Sequence, residues 1–429
     1  MDNAWIIRGG ALLDPTDGDR GVGDLYIADG RIVADPPAQA RTIDASGLTV
    51  MPGLIDLHVH FREPGHEGAE TIASGSHAAA RGGFTTVVTM PNTRPAVDSP
   101  EQVAFALRQA ASAGAVELLP SACITRERRG NALADLPALA AAGAAAFTDD
   151  GSTVSDDDLM QRAMQQAATL DLPVMDHALD PILAGKGVLH DGEAAQRLGL
   201  LGIPSAAEDR IVARDIELAA ATGCAMHIQH VSSGASAHMI SAAAARGLPV
   251  TGEATPHHLA LSDADILSDD GNFKMNPPLR TPEDREALID AVLSGGLSIL
   301  ATDHAPHLAA LKAKGIRQAP FGVVGLETAL GVTYQLLVVE RGMSPQAWLQ
   351  RWTTGPAALL GRPAPSLTPG ARADLALVDL QTDWQVDPDA FVSLSRNTPF
   401  TNHRCRGRTV LTIFAGKITW SDVDSTPRL

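Results

Sequence analysis

From about residue 52 onward the chain repeats one rhythm, a helix-like stretch followed by a short apolar run. Thr71–Arg81 predicts a helix and Thr85–Met90 the strand after it. Leu159–Leu170 precedes Pro173–His177, and Ile211–Thr222 precedes Cys224–His230. Residues 236–246 precede Pro249–Glu253, and Arg285–Leu293 precedes Leu297–Asp303. Repeated βα units predict a parallel sheet, and this many over roughly 300 residues fit a closed, TIM-like (β/α)8 barrel. Few other architectures accommodate such a pattern.

The chain ends read differently. Trp5–Arg8, Leu25–Ile27 and Arg31–Val33 predict short strands, with turns at Gly9-Gly10 and Asp29-Gly30. Beyond about residue 362 Pro and Gly become frequent, and Ala373–Asp379 and Thr409–Phe414 again read as strands. The expectation is an α/β chain with a barrel over 52–362, beside a small β-sandwich domain built from both ends, 1–51 and 363–429. A length of 429 residues suits one large unit and one small one.

Composition narrows the function. A formal charge of −17 argues against a nucleic-acid partner, whose phosphates demand basic patches. Cys123, Cys224 and Cys405 are widely spaced and form no CxxC, which suits reduced thiols and a cytoplasmic setting. The residues Met1–Trp5 lack the basic start and long apolar run of a signal peptide. No apolar stretch is long enough to span a bilayer, and the Ala-rich segment around 138–147 reads as a short helix.

Barrel enzymes place their chemistry at the C-terminal ends of the strands. His58 and His60 follow the apolar run Leu54–Leu57; two apart on a strand, their imidazoles point to the same side. Asp150, His177, His230 and Asp303 stand at other expected strand ends. Four histidines and two carboxylates suit two Zn²⁺-like ions. The chain has no lysine before Lys186, so the earlier strands cannot supply a carboxylated lysine as the bridge. Asp150 in Phe147–Gly151 offers a bridging carboxylate instead, and a shift of one residue would exchange it with Asp149. Such a centre favours ionised water near neutral pH, and Asp303 would carry the proton to a leaving nitrogen. The chemistry expected is metal-assisted hydrolysis of an amide-like bond.

Around this set lie groups suited to a planar anion. Arg62 offers a fork for a carboxylate, while Asn92, Asn276 and His307 are candidate contacts in nearby loops. The segment from Leu308 to Phe321 has the polarity and glycine content of a mobile loop, a candidate lid. His66, His190 and His403 read as solvated, and His227, of opposite parity to His230, as packed in the barrel wall. His257 and His258 read as supporting groups at a strand end.

The strings His58–Gly65 (HVHFREPG), Met90–Thr93 (MPNT), Phe147–Gly151, Thr255–His258, Lys274–Arg280 and Ala301–His307 resemble the amidohydrolase superfamily. More narrowly, they resemble the dihydroorotase family of the separate-chain bacterial type, over essentially the whole chain. That resemblance implies reversible ring opening of L-dihydroorotate to N-carbamoyl-L-aspartate, a step of pyrimidine synthesis. It implies one zinc on His58, His60 and Asp303, a second on His177 and His230, and a bridge of Asp150 and hydroxide. It assigns the substrate carboxylate to Arg62, Asn92 and His307, with His60 also beside the substrate, and the ring to Asn276, Phe321 and Gly322. It further implies a homo-oligomer, a dimer, with aspartate transcarbamoylase as a partner in some members. The chain departs from the family at Ala178–Asp180, where an acidic pair is expected, and at Leu308, where threonine is expected. The competing readings are an allantoinase or hydantoinase on the same barrel, or an inactive scaffold for the transcarbamoylase.

Overall fold

The computed structural model describes residues 4–422. Residues 1–3 and 423–429, which the reading above gives to the terminal domain, lie outside the described residues, as does most of the segment read for a signal peptide. Eight parallel strands follow one another around a barrel in chain order: β1 (Leu54–Val59), β2 (Phe84–Thr89), β3 (Glu117–Ala122), β4 (Ala146–Phe147), β5 (Val174–Asp176), β6 (Met226–Ile228), β7 (Val250–Ala254) and β8 (Ile299–Leu300). The seam closes just past β8, where His304 bridges in parallel to Val59 and the His60 N–H donates to the His304 carbonyl at 2.8 Å. Closure therefore fastens the residues after β8 to the end of β1.

Sequence chemistry explains the individual units. Every residue of β1 and β2 is buried, as expected of strands covered on both faces. Helix Ile72–Arg81 starts at Thr71, whose hydroxyl accepts from the Ser74 N–H. Its Ala78, Ala79 and Ala80 are fully buried, and small side chains let the helix lie close to the sheet. Helix Pro282–Ser294 combines a Thr281–Asp284 capping box with proline in the first turn, and Gly295 ends it at φ +90°. The core between strands and helices is filled by large side chains, with Phe84 edge-on to Trp352 at a centroid distance of 5.4 Å.

A second, eight-stranded sheet is built from strands at 5–52 and 375–421. The two chain ends meet where Leu375–Gln385 pairs antiparallel with Thr49–Pro52, in register Leu375 to Pro52. Trp5, Ile7, Ile27, Ile43, Leu375, Leu377, Leu411 and Ile413 form its core.

Two local expectations fail for physical reasons. Gly9-Gly10 is no turn, because one strand runs from Trp5 to Asp14. Its register against Gly18–Ala28 slips between Ile7 and Gly10, a bulge in which Gly9 adopts φ +69°. A side chain at Gly10 would meet Val50 Cγ2 at 2.5 Å. The Ala-rich helix spans only Leu136–Ala141, since Gly143 at φ +106° redirects the chain into β4.

Barrel and terminal sheet are tied at Glu117 on β3. Its carboxylate accepts from Arg362 at 2.7 and 2.8 Å and from Arg372 at 2.7 Å. Burial opposes its ionisation, but the two guanidinium groups draw the carboxyl down to about 2. A depressed carboxylate stabilises the fold above its unfolded value near 4.5, and that contribution disappears as pH falls through about 2. Glu117→Gln should therefore cost about 2 kcal/mol at pH 7, a value discounted for partial exposure. The gap from wild type in denaturant melts should shrink between pH 5 and 2. A constant gap over that range would mean that packing, not charge, makes the tie.

Among the described residues no helix is long and apolar enough to cross a membrane.

Candidate active site

The C-terminal ends of the barrel strands bring His58, His60, Asp150, His177, His230 and Asp303 around one small space. All six are buried. Asp150 lies at the middle. Its Oδ1 is 3.2 Å from His58 Nε2, 3.6 Å from His177 Nδ1 and 3.8 Å from His230 Nε2, and its Oδ2 is 3.5 Å from His60 Nε2. Asp303 Oδ1 approaches His60 Nε2 at 3.2 Å and His58 Nε2 at 3.6 Å. Asp149 turns the other way and accepts from the Thr125 N–H at 3.1 Å and from the Thr125 hydroxyl.

Two ligand groups emerge, His58–His60–Asp150 and Asp150–His177–His230, and they share Asp150. His58 Nε2, Asp150 Oδ1 and His177 Nδ1 are buried and make no hydrogen bond. Buried polar atoms are nearly always paired. Converging unpaired imidazole nitrogens and carboxylate oxygens fit divalent cations. Burial works against ionisation of Asp150 and Asp303, yet the neighbouring histidines, His58 first, hold both below the usual carboxylate range. Both are thus ligand-ready anions.

Three residues of the site hold a left-handed backbone. Arg62, His230 and Asp303 carry φ of +58°, +33° and +47°, values that favour glycine. At His230 this breaks strand alternation, because β6 has already ended at Ile228. His227, in the middle of β6, is fully buried within the barrel, in keeping with its reading as a packed residue. It bonds Thr251 Oγ1 at 2.8 Å through Nδ1 and Glu253 Oε2 at 3.0 Å through Nε2.

Glu253 on β7 was absent from the sequence expectations. Its Oε1 lies 2.7 Å from His58 Nδ1 and accepts from the His230 N–H at 3.1 Å. Despite burial, His58 and His227 bring its carboxyl down to about 2. This leaves His58 Nε2 free to face Asp150. A glutamate near the end of a largely buried strand was the available signal, since a buried carboxylate needs partners. Glu253→Ala should weaken metal binding roughly 10–100-fold, measured by competition with a chelator. Unchanged affinity would reduce Glu253 to a barrel-filling group. Asp56 was also missed. It accepts from Thr302 Oγ1 at 2.5 Å, the Thr302 N–H at 3.0 Å and the His58 N–H at 3.1 Å, tying β1 to the segment that carries Asp303. Burial pushes its carboxyl up to about 7.

The candidate substrate groups rim the same space. Asn92 is held between His60 Nδ1 at 2.9 Å and Asp150 Oδ2 at 3.1 Å, so its amide also orients two of the clustered side chains. Arg62 donates to the Pro306 carbonyl at 3.1 Å, with a terminal nitrogen 3.2 Å from His307 Nε2. Burial presses its guanidinium down to about 10, still fully cationic near neutrality. His307 Nε2 sits 2.7 Å from the Phe321 carbonyl, and burial with Arg62 holds the imidazole neutral, down to about 3. Asn276 reaches His177 Nε2 at 3.0 Å. His258 bridges Thr255 Oγ1 and the Pro277 carbonyl at 2.8 and 2.9 Å, fixing the loop that carries Asn276. His257 is buried beside it. His66 is exposed and His403 half-buried, but His190 is buried against Arg280, 3.3 Å from its Nη1, which corrects the solvated reading. The segment 308–321 forms two short helices, Ala309–Lys312 and Gly315–Gln318.

A parallel barrel whose strand ends gather these histidines and aspartates defines a metal-dependent amidohydrolase. Residues 47–236 match the family model described as dihydro-orotase-like. A dihydroorotase of Geobacillus sp. (strain WCH70) is 49% identical over 380 residues, 89% of each chain. A dihydroorotase of Anaeromyxobacter dehalogenans is 45% identical over 97% of this chain and 98% of its own. Among solved structures, an L-hydantoinase (dihydropyrimidinase) from Arthrobacter aurescens superposes with a TM-score of 0.85 at 25% identity, covering 97% of this chain and 96% of its own. A D-hydantoinase from Thermus sp. reaches a TM-score of 0.83 at 23% identity, over 97% and 95%, which speaks for the fold alone. The chain belongs to the dihydroorotase family and is a cyclic amidohydrolase.

Proposed function

We propose that this chain opens and closes the ring of L-dihydroorotate, interconverting it with N-carbamoyl-L-aspartate for pyrimidine synthesis, on two Zn²⁺ ions. The observation that carries the reading is a pair of metal-capable groups sharing Asp150, with the half-buried guanidinium of Arg62 nearby. His58, His60 and Asp303 would hold one ion, His177 and His230 the other, with Asp150 between them. Bound there, the ions would ionise water near neutral pH and polarise the ring carbonyl.

The protein's own groups do the rest. Arg62, Asn92 and His307 receive the substrate carboxylate, while Asn276, Phe321 and Gly322 face the ring. A guanidinium fork matches a carboxylate in geometry and charge. Asp303, kept ionised by its histidine neighbours, takes the proton of the attacking water and returns it to the ring nitrogen as the amide bond breaks. In the reverse direction the same carboxylate removes that proton.

The domain division at 52 and 362, a cytoplasmic setting, a homodimer and association with aspartate transcarbamoylase belong to the same reading. Light scattering on the purified chain, alone and mixed with the transcarbamoylase, checks the last two.

The deciding experiment is a substrate panel on metal-quantified enzyme. Dihydroorotate should turn over well ahead of hydantoin and allantoin. Faster turnover of either alternative would move the chain to a hydantoinase or allantoinase role. Full zinc without turnover would leave the scaffold reading.

A further inference from the structure

The segment between Asp303 and Gly325 contains a buried cation that the proposed chemistry does not use. Lys312 closes the short helix Ala309–Lys312 and is only 3% exposed, contrary to the polar loop surface expected of it. Its Nζ donates to three backbone carbonyls: Gly322 at 2.8 Å, Lys274 at 3.0 Å and Pro320 at 3.1 Å. An ammonium has three donors and no acceptor, so these three oxygens satisfy it completely. Burial and the neighbouring Lys274 press the amine down to about 7, against the pull of Asp270, which favours the charged form.

The position of those carbonyls is what gives Lys312 its meaning. One belongs to the loop that carries Asn276, and two flank Phe321 in the turn Pro320–Gly322. The Gly322 N–H also donates to the Lys274 carbonyl at 3.0 Å, so both loops meet at the ammonium. Lys274 Nζ lies 4.5 Å from the centre of the Phe321 ring. The Phe321 carbonyl in turn lies 2.7 Å from His307 Nε2, carrying the arrangement to the Arg62 side of the site. Three carbonyl oxygens aimed at one point repel each other unless a cation sits among them. Without that charge the two loops keep the single Gly322–Lys274 backbone bond and lose the ammonium that gathers all three carbonyls.

We infer that Lys312 is a positioning residue for the substrate, a latch that holds the Asn276 loop and the Phe321–Gly322 turn in register over the ring. The inference rests on the proposed function and extends it to a side chain that does not itself line the cluster. It also assigns the segment 308–321 a fastened state rather than a loose one.

The test compares Lys312→Met, which keeps the stem and removes the charge, with exposed Lys314→Met as the control. Zinc content and melting temperature are recorded beside steady-state kinetics on L-dihydroorotate. Lys312→Met should raise KM about tenfold or more and change kcat less than about threefold, with zinc unchanged. Lys314→Met should match wild type. Phe321→Ala should raise KM as well, and the double variant should rise by less than the product of the two single effects, because Phe321 is one of the groups that Lys312 positions. If Lys312→Met fails to fold, Lys312→Arg serves in its place; its planar fork cannot seat among three converging carbonyls, so the same rise in KM is expected. An inactive wild type overturns the reading of the site and the latch together. An active wild type with an unmoved KM in the Lys312 variant, a fall in kcat that follows zinc loss, or additive effects with Phe321→Ala, overturns the latch alone.

Discussion

Asp303→Asn should lower kcat for dihydroorotate roughly a thousandfold while leaving most of the bound metal in place. Asparagine keeps the size of the side chain and one oxygen able to face the cluster, but it cannot accept and return a proton. The neighbours of Asp303 make this a clean test. Its Oδ1 lies within 3.6 Å of both His58 and His60, and those imidazoles keep it ionised despite burial. Its backbone is held at φ +47° beside the seam where His304 bridges to Val59, so the substituted side chain stays in place. The measurement is kcat at saturating substrate together with metal content. Turnover near the wild-type rate would remove Asp303 from proton transfer, and loss of metal in proportion to activity would make it a ligand and nothing more.

Asp150→Ala should do more damage, and differently. Its carboxylate lies within 3.8 Å of all four clustered histidines, and the two ligand groups have no other member in common. Alanine leaves four buried imidazoles with one carboxylate, Asp303, to balance two divalent cations. Metal stoichiometry should fall from two per chain to one or fewer, and turnover should fall by roughly a thousandfold or more. Asp149→Ala is the comparison. Its carboxylate is occupied by the backbone and hydroxyl of Thr125, so it should lose stability and keep its metal. Two metals retained in Asp150→Ala, or metal lost in Asp149→Ala, would move the bridge to Asp149.

Legibility varied with the range of the interaction that decides each feature. The strand-and-helix rhythm is local, and Thr71, Thr281 and Gly295 mark helix ends through bonds that span only a few residues. The histidines and aspartates at the strand ends were visible because a barrel turns position along a strand into position in space. Features set by distant pairing were not visible. Gly9-Gly10 looked like a turn because the partner strand that makes it a bulge is further along the chain. The segment 308–321 read as a mobile polar loop because the three carbonyl partners of Lys312 come from two separate loops.

By itself the amino-acid sequence determined the barrel and the kinds of ligand at its strand ends. The missing early lysine left an aspartate as the candidate bridge. The tertiary structure alone decided that Asp150, not its neighbour, faces the four histidines, that Glu253 orients His58, and that Lys312 ties two loops together. The physical reason is one of scale. Periodicity and capping act over a few residues, whereas a buried carboxylate or ammonium takes its partner from whichever strand or loop the closed barrel brings within about 3 Å.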